Sequence, residues 1–219
     1  MQKAFIFDMD GVLINSELTW HNQGKGFLQN LYSQDILKKI GSTIGMTLDV
    51  EYETARKYGF QMGKREYYRL YDDQAKIIYS QSKITSGLDE FIYFLKKEGF
   101  SLGIVSASRQ VWIDQVLARI PLRKKFSYVL SMNSCKQLRP KPHPDGYLEA
   151  IKVLHAAPET TIILEDSNSG IQAARASGAV TIGFREHLIP DYHQIGAHHY
   201  ANTLKEVANL VKEVKILLK

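Results

Sequence analysis

Short apolar runs separated by stretches of helical period constrain this chain more than any other feature. Residues 4–7 form the first run; residues 102–105, 128–130, 161–164 and 180–184 form the others. Each is too short for a helix and gives way to a polar residue, which reads as a buried strand. Between the later runs apolar positions recur every three or four residues: Leu88, Phe91, Ile92 and Leu95; then Ile113, Val116, Leu117 and Ile120; then Tyr147, Ile151 and Leu154. Gly99 closes the first of these helices, Pro121 ends the second and Pro144 opens the third. A helix over 169–177 is closed by Gly178, and a last helix turns Leu204, Val207, Val211, Val214 and Leu218 inward. Strands alternating with helices predict an α/β fold, a doubly wound parallel sheet with helices on both faces.

Residues 16–83 break this alternation. Segments 17–32, 48–58 and 64–79 read as helices, and Leu48, Tyr52 and Ala55 share one helical face. Glycines punctuate the stretch at 41–45 and 59–63. The reading is an all-helical insertion of roughly 65 residues, joined to the rest at hinges near 15 and 84.

In a doubly wound sheet, ligands bind at the carboxyl ends of the strands. Four of those ends carry chemistry here. Asp8 and Asp10 follow the first run, with Gly11 behind them to let the backbone turn and approach a ligand. Ser106-Ala107-Ser108 follows the second, Arg139-Pro-Lys141-Pro-His143-Pro the third, and Glu165-Asp166-Ser167 the fourth. Two carboxylates one residue apart repel each other, and a divalent cation is the usual remedy. An acidic turn and a surface lysine in a proline loop are the plainer readings of single members of this set. Together they fit a phosphate held beside a metal.

Composition narrows the partners. The net charge is +5, but the basic residues are dispersed, with no basic-aromatic stripe and no zinc-ligand spacing. That suits an anionic small molecule and argues against nucleic acid. No run is long enough to span a membrane. The chain enters a strand directly, which leaves no room for a signal peptide, and Cys135 is its only cysteine. Both point to a reducing, cytoplasmic setting. Oligomeric state is not legible; a monomer is expected.

With all four motifs in order, the chain resembles the haloacid dehalogenase superfamily, in the branch with a helical cap after the first motif. Asn15-Ser16-Glu17 with Trp20, Ser106-Ala107-Ser108 and Lys141-Pro142-His143-Pro144 resemble its 2-deoxyglucose-6-phosphatase and β-phosphoglucomutase-like members. The resemblance implies a Rossmann-like core over 1–15 and 84–219 and a cap over 16–83. It implies Asp8 as nucleophile and Mg²⁺ ligand, and Asp10 as general acid and base with its backbone carbonyl on the metal. Ser106 would donate to the phosphate, joined by the backbone N–H groups of Met9, Asp10 and Ala107. Lys141 would offset charge between Asp8 and phosphate, and Glu165 and Asp166 would hold Mg²⁺. Ser108 reads as a helix cap and Arg109 as solvent-facing.

The implied activity is Mg²⁺-dependent hydrolysis of a small phosphorylated sugar or polyol through an aspartyl phosphate. A phosphosugar mutase uses the same residues and is the alternative; a non-catalytic binder of phosphometabolites or nucleic acid is the reading from another class. The cap loop 41–47, His21, Lys25, Arg56, Arg65 and Arg69 are candidates to read the rest of the substrate.

Overall fold

The computed structural model describes residues 2–217, with side chains through residue 213. In chain order the elements are β1 (Gln2–Phe7), α1 (Ser16–Thr19), a π-helical turn (Trp20–Gly24), α2 (Lys25–Leu31), α3 (Gln34–Ile40), α4 (Leu48–Lys57), α5 (Lys64–Gln81) and α6 (Leu88–Lys97). There follow β2 (Phe100–Ser106), α7 (Gln110–Leu117), a 3₁₀ turn (Arg123–Lys125), β3 (Phe126–Ser131), α8 (Asp145–Val153), β4 (Ala156–Glu165), α9 (Asn168–Ala176), β5 (Val180–Phe184), β6 (His199–Ala201) and α10 (Leu204–Leu217).

The strands form one parallel sheet in the order β3-β2-β1-β4-β5-β6, the doubly wound arrangement the alternation predicts. Strand order reverses between β1 and β4, so the crevice of such a fold opens where those two strands end. Phe7 lies level with Ile104 on one side and Leu164 on the other. Asp8 therefore leaves the sheet level with Val105 and Glu165, which are still paired to Leu130 and Gly183.

Side-chain alternation divides β1 between two apolar layers. Phe5 and Phe7 join Phe91, Ile92, Ile113 and Val207 on one face. Ala4 and Ile6 join Tyr147, Ile151, Ala173 and Ala174 on the other. A parallel strand covered on both faces has no polar side, which is why these runs are continuously apolar.

The sequence undercounts the regular structure in three places. The third cap helix, α3, has only two buried apolar positions, Ile36 and Ile40, too few to announce a period. Strand β4 begins at Ala156, five residues before its apolar run. Strand β6 is three residues long and exists by pairing with β5. Leu204, Val207 and Val211 are buried as expected; Val214 and Leu218 lie outside the residues whose side chains are described.

Between β1 and α6 only helices occur among the described residues. The two crossings into this stretch lie side by side: Asn15 N–H donates to Lys83 O at 3.0 Å, and Thr85 N–H to Leu13 O at 3.0 Å. Its interior is rich in tyrosine, with Tyr32, Tyr52, Tyr67 and Tyr71 packed around Phe60 and Ala55. No helix among the described residues is long and apolar enough to cross a membrane.

Candidate active site

Asp8, Lys141 and Glu165 form the buried centre of the crevice. Lys141 Nζ donates to Asp8 Oδ1 at 2.5 Å, to Glu165 Oε1 and to Val105 O at 3.3 Å. Its side chain is only 4% exposed, so it is not the surface lysine that a proline loop suggests. Arg139 pins that loop outside, pairing with Asp145 at the start of α8 through Nε (3.0 Å) and Nη2 (2.8 Å). Glu165 is saturated: Tyr147 Oη also reaches Oε1 at 2.7 Å, and Ser167 gives both its N–H and its hydroxyl to Oε2 at 3.0 Å.

The acids outnumber the cation. Burial pushes the Asp8 carboxyl up, Lys141 pulls it down, and Glu165 and Asp10 push it up again, to about 8. Glu17, on α1, is pushed up to about 8 by burial and by Asp10, Asp8 and Glu165. Asp166 lies well above the carboxylate range through burial, then Glu165, Glu17 and Asp8. Burial opposes the charge on Lys141, yet Asp8 and Glu165 hold its ammonium well above the usual lysine range. Crowded buried carboxylates of this kind are relieved by a further positive charge.

The donor set fits a hard dication. Asp8, Glu165 and Asp166 are all buried and each offers an oxygen within 4.8 Å of the others. Glu165 is engaged by protein donors on both oxygens, whereas no hydrogen bond falls on Asp8 Oδ2 or the Asp166 carboxylate among the described residues. Two open carboxylates on a rigid base suit Mg²⁺, which keeps several of its waters. Gly11 permits the approach: its φ is +73°, and a Cβ there would fall on the Asp166 carboxylate.

Asp10 stands apart from that trio. Its carboxylate accepts from Ser16 Oγ at 2.6 Å and Tyr79 Oη at 2.8 Å on Oδ1, and from Ser108 Oγ at 2.7 Å on Oδ2. Ser108 is therefore a ligand of Asp10 and not a helix cap; α7 has no side-chain N-cap bond. Arg109 pairs with Asp72 of α5 and lies 4.6 Å from the Tyr68 ring centroid, so it does not face solvent as expected.

The remaining candidates divide between surface and support. Ala107 lines the cavity described below, while Ser106 and Met9 are fully buried behind it. The Ser106 hydroxyl accepts from Ser108 N–H at 3.0 Å. No hydrogen bond engages the backbone N–H of Met9, Asp10 or Ala107 among the described residues. These three donors sit in the turns after β1 and β2, beside Asp8.

A cavity of about 280 Å³ joins this crevice to the helical stretch above it. Asp8, Asp10, Asp166 and Ala107 form its floor. Trp20, His21, residues 41–46, Glu51 and Tyr71 form its cap wall. Of the sequence candidates for reading substrate, the loop and His21 reach the cavity; Lys25, Arg56, Arg65 and Arg69 do not. Arg56 instead donates to Phe60 O at 2.8 Å, and Arg69 lies 3.7 Å from Asp73. Sequence reasoning missed Tyr79 and Glu51. A tyrosine in a helical stripe reads as core, and an acid near a helix start reads as a dipole partner.

A family model described as haloacid dehalogenase-like hydrolase matches residues 5–184. Hexitol phosphatase B of Escherichia coli (strain K12) is 30% identical over 179 residues, covering 80% of this chain and 79% of that protein. A phosphorylated carbohydrates phosphatase of Thermotoga maritima is 26% identical over 219 residues, covering 97% and 99%. A crystal structure of β-phosphoglucomutase from Clostridium difficile superposes with a TM-score of 0.73 at 19% identity and covers 100% of both chains, a likeness of fold.

Proposed function

This chain belongs to the haloacid dehalogenase-like hydrolases, and on that footing we propose that it is a Mg²⁺-dependent phosphatase of small phosphorylated sugars or polyols. The observation that carries the reading is the buried Asp8–Lys141–Glu165 centre with Asp166 beside it. The phosphatase names of two relatives support the reaction and the substrate class.

In this reading residues 16–83 are a cap that closes over a core of 1–15 and 84–219. The phosphoryl group accepts from the Ser106 hydroxyl, which the Ser108 N–H holds in place, and from the N–H groups of Met9, Asp10 and Ala107. Lys141 balances charge as Asp8 approaches the phosphoryl oxygens. A carboxylate oxygen of Asp8 attacks phosphorus and the ester P–O bond breaks. Asp10 delivers its proton to the departing alkoxide. Water then attacks the aspartyl phosphate, its proton passes to Asp10, and Asp8 leaves as carboxylate with inorganic phosphate released. Asp8, Asp166 and the Asp10 carbonyl would hold Mg²⁺, with Glu165 supporting the ion by its charge because protein donors occupy both of its oxygens; the bound ion would draw negative charge from the phosphoryl oxygens. The lone Cys135, which leaves no internal disulfide to form, supports a reducing, cytoplasmic site of action.

The test is phosphate release from a panel of sugar and polyol phosphates, with Mg²⁺ or with chelator, beside Asp8→Asn. Metal-dependent release that Asp8→Asn abolishes is the expected result. Equal release by Asp8→Asn, or turnover untouched by chelator, would overturn the assignment.

A further inference from the structure

Glu51 is a carboxylate that the proposed hydrolysis does not use. It sits in the first turns of α4 and is 5% exposed, yet it forms part of the cavity wall. Tyr32 Oη reaches its Oε1 at 2.8 Å, and Tyr71 Oη reaches the same oxygen. Tyr67 Oη backs Tyr32 at 3.0 Å. No hydrogen bond falls on Oε2 among the described residues. A buried acid costs stability unless its oxygens are satisfied. This one is tied to tyrosine hydroxyls through Oε1, while the residue itself lines the cavity.

The charge around it is one-sided. The cavity wall contains Asp8, Asp10, Glu17, Glu51 and Asp166 but no lysine or arginine, among the described residues. Lys141 is committed to Asp8 and Glu165 below. His21, which is exposed, is the one histidine among the lining residues. Trp20, Tyr71 and Trp112 supply aromatic surface, with Trp20 and Tyr71 centroids 6.1 Å apart and Tyr71 stacked on Trp112 at 6.4 Å. Aromatic faces beside a carboxylate suit a chain or ring of C–H and O–H groups.

Resting on the phosphatase reading, we propose that Glu51 is a specificity-determining residue that accepts hydrogen bonds from hydroxyls at the unphosphorylated end of the substrate, in a cavity that admits no second anionic group. The substrate class is then the monophosphate of an uncharged polyol or sugar. Bisphosphates, pyrophosphate and phosphorylated carboxylic acids bring a second anion that meets no cation. Burial raises the Glu51 carboxyl while the tyrosine hydroxyls lower it. Ionised, it repels that anion; protonated, it still leaves the anion desolvated and unpaired. The same wall opposes a mutase cycle, in which the sugar carries two phosphates between transfers.

The experiment measures kcat and KM for hexitol 6-phosphate, hexose 1,6-bisphosphate, phosphoglycolate and p-nitrophenyl phosphate, with wild type, Glu51→Gln and Thr43→Lys. Wild type is expected to favour hexitol 6-phosphate over hexose 1,6-bisphosphate and phosphoglycolate, which are anionic at both ends, by about 100-fold or more in kcat/KM. Glu51→Gln raises KM for hexitol 6-phosphate about tenfold with a much smaller change in kcat. Thr43→Lys, which sets a cation on the wall, raises kcat/KM for the bisphosphate by about tenfold. Equal wild-type turnover of bisphosphate and hexitol phosphate would overturn the proposal, as would a Glu51→Gln effect of one size on every substrate. Those results, obtained with p-nitrophenyl phosphate still hydrolysed, sink the role of Glu51 alone. Failure to hydrolyse any ester sinks the phosphatase reading and this proposal with it.

Discussion

Tyr79, in the last turns of cap helix α5, donates its hydroxyl to Asp10 Oδ1 at 2.8 Å across 69 positions of sequence. Ser16 and Ser108 complete the set of donors, so Asp10 is oriented by one residue from each of three segments. The proposed acid and base thus contacts the cap directly, and the position of α5 decides whether its carboxylate is aligned.

Tyr79→Phe keeps the ring and removes that bond. We expect kcat to fall by about tenfold, a fraction of what a positioned general acid contributes, with KM little changed. The stability cost should be about 1 kcal/mol. Steady-state kinetics beside a thermal melt separates the two effects; an unchanged kcat would remove Tyr79 from the mechanism.

Lys141→Met leaves Asp8 and Glu165 buried without their cation. Stripping one partner from a buried ion pair costs about 3–5 kcal/mol, which for a chain of this size lowers Tm by roughly 10 °C. Because the acids then lack any counter-charge, Mg²⁺ should restore part of the loss. Calorimetric melts with and without Mg²⁺ test this, and a Tm equal to wild type would mean the acids are already neutral.

Gly11→Ala acts on the metal. A left-handed alanine costs about 1–2 kcal/mol, and its Cβ would displace the Asp166 carboxylate. Mg²⁺ affinity should fall about 10- to 100-fold, the usual effect of disturbing a ligand's support. Titration calorimetry reads this, and a retained affinity would show that Asp166 is not needed for the ion.

His187 supplies a pH dependence. It lies near the hinge, with Thr85 Oγ1 at 3.0 Å from its Nε2, and burial lowers its pKa to about 4. Glu186, 3.8 Å away, does not prevent that. A depressed histidine means the unfolded chain takes up the proton first. Stability should therefore fall as pH drops from about 6.5 to about 4, by roughly 3 kcal/mol at most, and level off below. The difference in melting between wild type and His187→Gln, followed from pH 7 to pH 4, isolates this contribution from that of the carboxylates.

The local patterns of the core were legible because they report burial. An apolar run such as 4–7 has to lie between two covered faces, and the glycine after α6 has to turn the chain with φ of +83°. The short elements were not legible: β6 and α3 are held by neighbours and have too few apolar positions to show a period. Ser108 was misread because a serine before a helix usually caps it; the pairing of β1 with β2 turned it to Asp10, and the placement of α5 turned Arg109 to Asp72.

By itself the sequence determined the alternation of strands and helices, the helical interruption, and the order of Asp8, Ser106, Lys141 and Asp166 along the chain. Those follow from periodicity and turn chemistry, which act over a few residues. Tertiary structure alone decided that Lys141 is buried between Asp8 and Glu165, that Tyr79 meets Asp10, and that Glu51 joins a cavity wall without lysine or arginine among the described residues. Each of these joins segments far apart in sequence, and the partner of a polar group is set by the packing that brings such segments together, which no local pattern records.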